Sequence, residues 1–258
     1  MSLLEIQAVS VTFGGLAALK RVSFSLEEGE IVGLIGPNGA GKTTLFNCLS
    51  AFQAVSEGHL RFRGVSLETL SPHQVAALGV ARTFQTSRIF KRMTVLDHLL
   101  VGRHLHQRTG LWAAIARPAW VAREEAEARE RALRTLGLFE DRLLPRIHGL
   151  ADTLSYANRR RLEIARALVA EPRLLLLDEP TAGMNPHESA GIVQLIKKIR
   201  DLGITVLLIE HDMKVIMGVA DRIVVLDHGE KIAEGLPEEI RQNEEVLQAY
   251  MGRRHGHA

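Results

Sequence analysis

Two kinds of apolar pattern share this chain. Leu4, Ile6 and Ala8 alternate with polar neighbours, as do Val22, Phe24 and Leu26, and then Leu60 and Phe62. A period of two sets one face of a strand on a core and the other in water, so these segments predict half-exposed antiparallel strands in the first third. Residues 31–35, 174–177, 205–209 and 223–226 are instead almost wholly apolar over the length of one strand. Such runs suit strands buried on both faces of a parallel sheet. Helical spacing lies between them, as over 189–202, where Ile192, Leu195, Ile196 and Ile199 recur on one side. This alternation predicts an α/β fold.

Residues 86–153 break the rhythm. Val95 and Leu99, then Leu96 and Leu100, pair four apart, and 122–139 is rich in Ala, Glu, Arg and Leu, all strong helix formers. With no strand signal inside it, the segment predicts a helical subdomain inserted into the α/β core. The core then comprises residues 1–85 and 154–258.

A chain of 258 residues fits one globular unit, or a core with an appended lobe. The 46% hydrophobic and 24% charged fractions are ordinary for a soluble domain, and a net charge of +2 gives no argument for nucleic acid as a partner. Arg159, Arg160 and Arg161 read as a solvated helix face. Cys48, the single cysteine, excludes an internal disulfide, fits a reducing compartment and reads as a small core residue. The N-terminus carries no signal-peptide pattern, and no apolar stretch approaches the ~20 residues that span a bilayer. The longest candidate, 111–122, is broken by Arg117 and Pro118. Work at a membrane would therefore need another chain to hold this one there. Residues 253–258 read as a frayed tail.

The chemistry starts directly after the first buried run. Gly36-Pro37-Asn38-Gly39-Ala40-Gly41-Lys42-Thr43-Thr44 is a P-loop, placed between a strand and a helix. Its glycines let the backbone approach phosphates, and its amides and the following helix start point at the anion. Lys42 is placed to reach the β- and γ-phosphates, and the Thr43 hydroxyl to ligate Mg²⁺. The chain is expected to bind a nucleoside triphosphate. Alone, the loop leaves kinases, GTPases and ATPases open.

Leu174-Leu175-Leu176-Leu177-Asp178-Glu179 narrows the choice. Four buried leucines end in two carboxylates at the carboxyl edge of a core strand, where ligands bind in open α/β sheets. Asp178 fits the Mg²⁺ partner and Glu179 the base that polarises an attacking water. His211 closes a third core strand and is placed to hydrogen-bond the γ-phosphate and orient the water. Gln85, where the core leads into the helical insertion, carries an amide suited to Mg²⁺ or water.

In this order the elements resemble an ATP-binding cassette (ABC) ATPase over nearly the whole chain. The resemblance implies a RecA-like P-loop NTPase core, an antiparallel β subdomain and an inserted helical subdomain. It makes Leu154-Ser155-Tyr156-Ala157-Asn158 the signature region, with Ser155 and the Ala157 amide closing on a γ-phosphate held by a second subunit. Phe13 matches the aromatic that stacks on adenine, beside a competing reading as a core Phe. Similarity is closer still to the ATPase subunits of branched-chain amino acid importers, through residues 81–85, 93–96, 161–166, 209–213, 237–241 and the ending Ala249-Tyr250-Met251-Gly252. It implies ATP and Mg²⁺ as cofactors and a homo- or heterodimer of ATPase subunits. Two transmembrane permease subunits, a substrate-binding protein and a peripheral seat on the cytoplasmic face of the inner or plasma membrane complete the expectation.

Ala157 and Asn158 depart from the usual Gly and Gln of the signature, and the methyl of Ala157 threatens to hold the backbone off the phosphate. Those two departures make a regulatory ATP-binding subunit of weak turnover one rival to solute import. A lipid or lipopolysaccharide exporter, a soluble cassette acting on ribosomes or DNA, and a P-loop kinase, which would not explain His211 or Ser155, are the others.

Overall fold

The computed structural model describes residues 2–84, 89–104, 113 and 118–251. Gln85 and the tail 252–258 lie outside them. The first third pairs as expected. β1 (Ser2–Phe13), β2 (Leu16–Glu27), β4 (Glu57–Phe62) and β5 (Val65–Ser66) form an antiparallel sheet in the order β2-β1-β4-β5.

The continuous apolar runs build a second sheet. β3 (Ile31–Ile35), β6 (Val80–Arg82), β7 (Leu174–Asp178), β8 (Thr205–Ile209), β9 (Arg222–Asp227) and β10 (Glu230–Gly235) lie in the order β10-β9-β3-β8-β7-β6. All pairings are parallel except β9 with β10 at one edge. Alternate residues feed two cores. Ile31, Leu175, Val206 and Ile223 face one, while Val32, Leu174, Leu207 and Val224 face the other. The second core is shared with the antiparallel sheet and with α1 (Lys42–Leu49), whose Leu45, Phe46, Cys48 and Leu49 are buried there. Cys48 is thus the small core residue expected. The helix wedged between two sheets carries the end of the P-loop at its start.

The first core is covered by helices. After α2 (Pro72–Ala77), whose Val75 belongs to the second core, these are α3 (Val95–Gly102), α4 (Ala119–Gly137), a single turn α5 (Glu140–Leu143), α6 (Tyr156–Leu168), α7 (Pro186–Asp201) and α8 (Met213–Val219). Val95, Leu96 and Leu99 of α3, Ala132 and Leu136 of α4, Leu162 and Ala165 of α6 and Ile192 and Ile196 of α7 meet in one cluster. Helix α4 starts earlier than its composition indicates because Pro118, which cannot donate inside a helix, takes the N-cap position. Helix α7 likewise starts early, on a capping box in which Asn185 Oδ1 accepts from Glu188 N at 3.0 Å. The described residues end in α9 (Pro237–Gln242) and α10 (Glu244–Met251).

The arginine run on α6 departs from expectation. Arg160 is 4% and Arg161 9% exposed, so this is no solvated face. Arg160 Nη1 donates to the Phe84 carbonyl at 2.8 Å and to Glu163 Oε2 at 3.0 Å, which ties α6 to the segment leaving β6. A guanidinium tolerates burial when its donors are used this way.

Candidate nucleotide site

Three strands that are neighbours in the sheet, β3, β8 and β7, deliver their carboxyl ends to one place. The loop after β3 turns on glycines. Gly36 has φ +147°, and a Cβ there would sit 2.0 Å from the Leu226 carbonyl oxygen. Gly41 has φ +101° as the N-cap of α1, and a Cβ there would sit 2.7 Å from the Ala18 carbonyl oxygen, so no side chain fits either position. A cavity of about 770 Å³ opens over this loop, lined by Ala18, Asn38, Gly39, Ala40, Gly41, Lys42, Thr43, Thr44, Glu179 and His211. Of the expected residues, the loop, the base candidate and the histidine are thus brought together.

Lys42 is buried and folded back on its own loop, with Nζ donating to Gly36 O at 2.6 Å and Pro37 O at 2.9 Å. Burial lowers its pKa, opposed by the charges of Glu179 and Asp178. Glu179 follows β7 with φ +48°, an uncommon conformation for a residue with a side chain and one that clusters at functional sites. Its N–H donates to Ile209 O at 3.0 Å, and its Oε1 lies 2.6 Å from His211 Nε2.

Asp178 is 2% exposed, and burial raises its pKa against the opposing charge of Arg82. Oδ2 accepts from Arg82 Nη2 at 3.3 Å, whereas Oδ1 is buried with no hydrogen-bond partner. A buried carboxylate oxygen left over in this way suits a hard divalent cation. Among the described residues no three His, Cys, Asp or Glu side chains form a metal cage.

Other expected residues lie apart. Phe13, at the end of β1, is 48% exposed, which excludes the core reading, and it does not line the cavity over the loop. Ser155 is exposed as the N-cap of α6, with Oγ accepting from Asn158 N at 3.4 Å, and lines a separate cavity with Arg161 and Asn185. Ala157 is 2% exposed, so its methyl packs inside the lobe instead of standing on the surface.

Sequence reasoning missed three residues. Arg82 holds Asp178 and also donates to Asn47 Oδ1 at 2.8 Å and Ser50 Oγ at 2.9 Å, joining β7 to α1. Glu210, buried and with a raised pKa, accepts from Thr181 N at 2.8 Å, Thr181 Oγ1 at 2.7 Å and His211 N at 3.3 Å. It thereby ties the loop after the acids to the histidine. Tyr250 of α10 reaches the Gly36 N–H. All three fall in segments that carry the family resemblance, but only the position of Glu210 beside His211 pointed to the site.

Comparison with known proteins agrees with this geometry. A family model described as ABC transporter matches residues 19–182, and one described as branched-chain amino acid ATP-binding cassette transporter matches residues 230–256. The chain is 46% identical over 254 residues to the high-affinity branched-chain amino acid transport ATP-binding protein LivG of Salmonella typhimurium, covering 97% of this chain and 98% of that one. Its identity to BraF of Pseudomonas aeruginosa is 45% over 251 residues, with the same two coverages. A crystal structure of a nucleotide-free ATP-binding cassette from an ABC transporter superposes with a TM-score of 0.84 at 30% identity, covering 98% of this chain and 100% of that one. The ADP conformation of MJ1267, an ATP-binding cassette of an ABC transporter, gives 0.85 at 31% identity, with coverages of 98% and 99%. With that family model over residues 19–182 and relatives at 45–46% identity over nearly the whole length, the chain belongs to the ABC transporter family, as an ATP-binding cassette of the LivG and BraF type.

Proposed function

We propose that this cassette hydrolyses ATP to power uptake of branched-chain amino acids through partner permease subunits. The observation that carries the reading is the cavity in which the P-loop, Glu179 and His211 meet. ATP enters with its phosphates on the loop amides of residues 38–44, and Lys42 turns from the Gly36 and Pro37 carbonyls to the β- and γ-phosphates. Phe13 supplies an exposed ring for the adenine. When bound, Mg²⁺ held by Thr43, Asp178 and Gln85 spreads the charge of the phosphates. Glu179 takes the proton of the attacking water, and His211 fixes the Glu179 carboxylate and the γ-phosphate side of the site.

Ser155 and the Ala157 amide serve the nucleotide of a second subunit, which accounts for their distance from the loop of their own chain. Two nucleotides between two subunits make closure depend on ATP. The helical subdomain, residues 86–153 between core segments 1–85 and 154–258, then moves with it. A cavity of about 350 Å³ lined by Phe52, Phe84, Val101 and Arg82 offers an apolar groove for a permease segment. No helix among the described residues is long and apolar enough to cross a membrane, and the permease partners hold the cassette at the cytoplasmic face. A substrate-binding protein delivers the solute to the permeases. Of the two departures behind the weak-turnover reading, the Ala157 methyl is packed inward and so does not favour it, which leaves Asn158 alone.

The test reconstitutes the cassette with its permeases and substrate-binding protein in liposomes. Leucine uptake that requires ATP and disappears in Glu179→Gln is expected. ATP hydrolysis unaffected by Glu179→Gln, or stimulation by a lipid substrate with no amino acid uptake, would overturn the reading.

A further inference from the structure

The Gly36 residue is gripped from both ends. Its N–H donates to the Tyr250 hydroxyl at 2.8 Å, and its carbonyl accepts from Lys42 Nζ at 2.6 Å. Tyr250 stands 214 residues away in sequence, on the last described helix, whose Val246 is anchored in the main apolar cluster. It lies in the C-terminal stretch matched at 230–256, beyond the 19–182 matched by the general ABC model. The grip on the loop therefore comes from a part of the chain outside the nucleotide-binding motifs.

The two grips respond differently to a nucleotide. Reaching phosphates turns the donors of Lys42 away from the Gly36 and Pro37 carbonyls. The Tyr250 bond is then the one that remains on a glycine that, at φ +147°, has no side chain to restrict it. Rotation there would re-aim the amides that follow, and those amides form the anion cradle. Desolvation raises the Tyr250 pKa against the Gly36 hydrogen bond, and a tyrosine hydroxyl is in any case neutral at pH 7.

We propose that Tyr250 is a positioning residue for the phosphate loop: its hydroxyl fixes the Gly36 backbone and keeps the loop amides aligned once Lys42 has turned to the phosphates. The inference rests on the nucleotide reading of the loop given above. It makes the C-terminal helix part of the nucleotide site without contact to the nucleotide.

Tyr250→Phe removes the hydroxyl and keeps the ring. Binding of a fluorescent ATP analogue with Mg²⁺ is measured for both proteins, with KM and kcat of the assembled complex and the melting temperature of the nucleotide-free cassette. The expected result is affinity weakened roughly three- to tenfold, the worth of one hydrogen bond, and KM raised in step. kcat at saturating ATP stays within about twofold and the melting temperature is unchanged. Affinity equal to wild type overturns the inference, as does a loss matched by a fall in melting temperature, which marks a merely structural prop. Wild-type protein that binds no ATP at all sinks the nucleotide reading, and the inference with it. Normal wild-type binding with an unaffected variant sinks the inference alone.

Discussion

His211 Nε2 and Glu179 Oε1 lie 2.6 Å apart, on segments that leave neighbouring strands β8 and β7. The contact orients the carboxylate that the proposed mechanism uses. Glu179→Gln keeps the shape and removes the base, so phosphate release is expected to fall at least ~10²-fold while ATP binding persists. His211→Ala, which frees the carboxylate, is expected to cost roughly 10- to 100-fold. Steady-state phosphate release checks both, and a rate in either variant close to wild type would remove that residue from the mechanism.

Arg82 is the counter-charge of a buried acid. Both side chains are nearly inaccessible in a 3.3 Å ion pair, and Arg82→Met leaves Asp178 charged and uncompensated. A stability loss of about 3–5 kcal/mol is expected from urea unfolding. The Arg82→Met, Asp178→Asn double variant is expected to lose less than Arg82→Met alone. A double variant as unstable as the sum of the two single variants would show that the pair is not coupled.

Ala157 gives a prediction opposite to the concern raised by its sequence. Its methyl is buried, so Ala157→Gly is not expected to tighten ATP-dependent dimers of the Glu179→Gln variant, read by light scattering. The same change within α6 is expected to lower stability by ~0.5–1 kcal/mol. A dimer that forms only once Ala157→Gly is introduced would show that the methyl obstructs the interface.

Cys48 sets a pH dependence. Burial pushes its thiol from 9.0 up to about 11, so the folded state holds the proton that the unfolded state gives up first. Stability from this group is full below pH 9 and is lost as pH rises toward 11. Cys48→Ala is expected to flatten that part of the pH–stability curve, whatever constant offset its cavity adds. Identical slopes for the two proteins would contradict it.

The buried strands and the residues that end them were legible because a continuous apolar run has few other uses, and a polar residue at its end must face a ligand or water. Glu179 and His211 were found on that logic and do share a cavity. Long side chains defeated the reading. Arg160 and Arg161 are charged, yet they are buried because Phe84 O, Glu163 and Asn158 use their donors, partners that no local pattern announces. Arg82 and Tyr250 escaped for the same reason, since their meaning lies in Asp178 and Gly36, far along the chain.

The place of β3 in its sheet bears on how the protein is made. Its two neighbours are β8 and β9: Ile31 pairs with Val206, and Val32 with Arg222. A ribosome synthesising this chain releases the P-loop strand early, then exposes it without either neighbour until most of the sequence has followed. Parallel pairing across such separations is slow and leaves apolar edges open meanwhile. Competence to hold ATP thus arrives only near the end of translation, and a truncated chain displays the motif without the site.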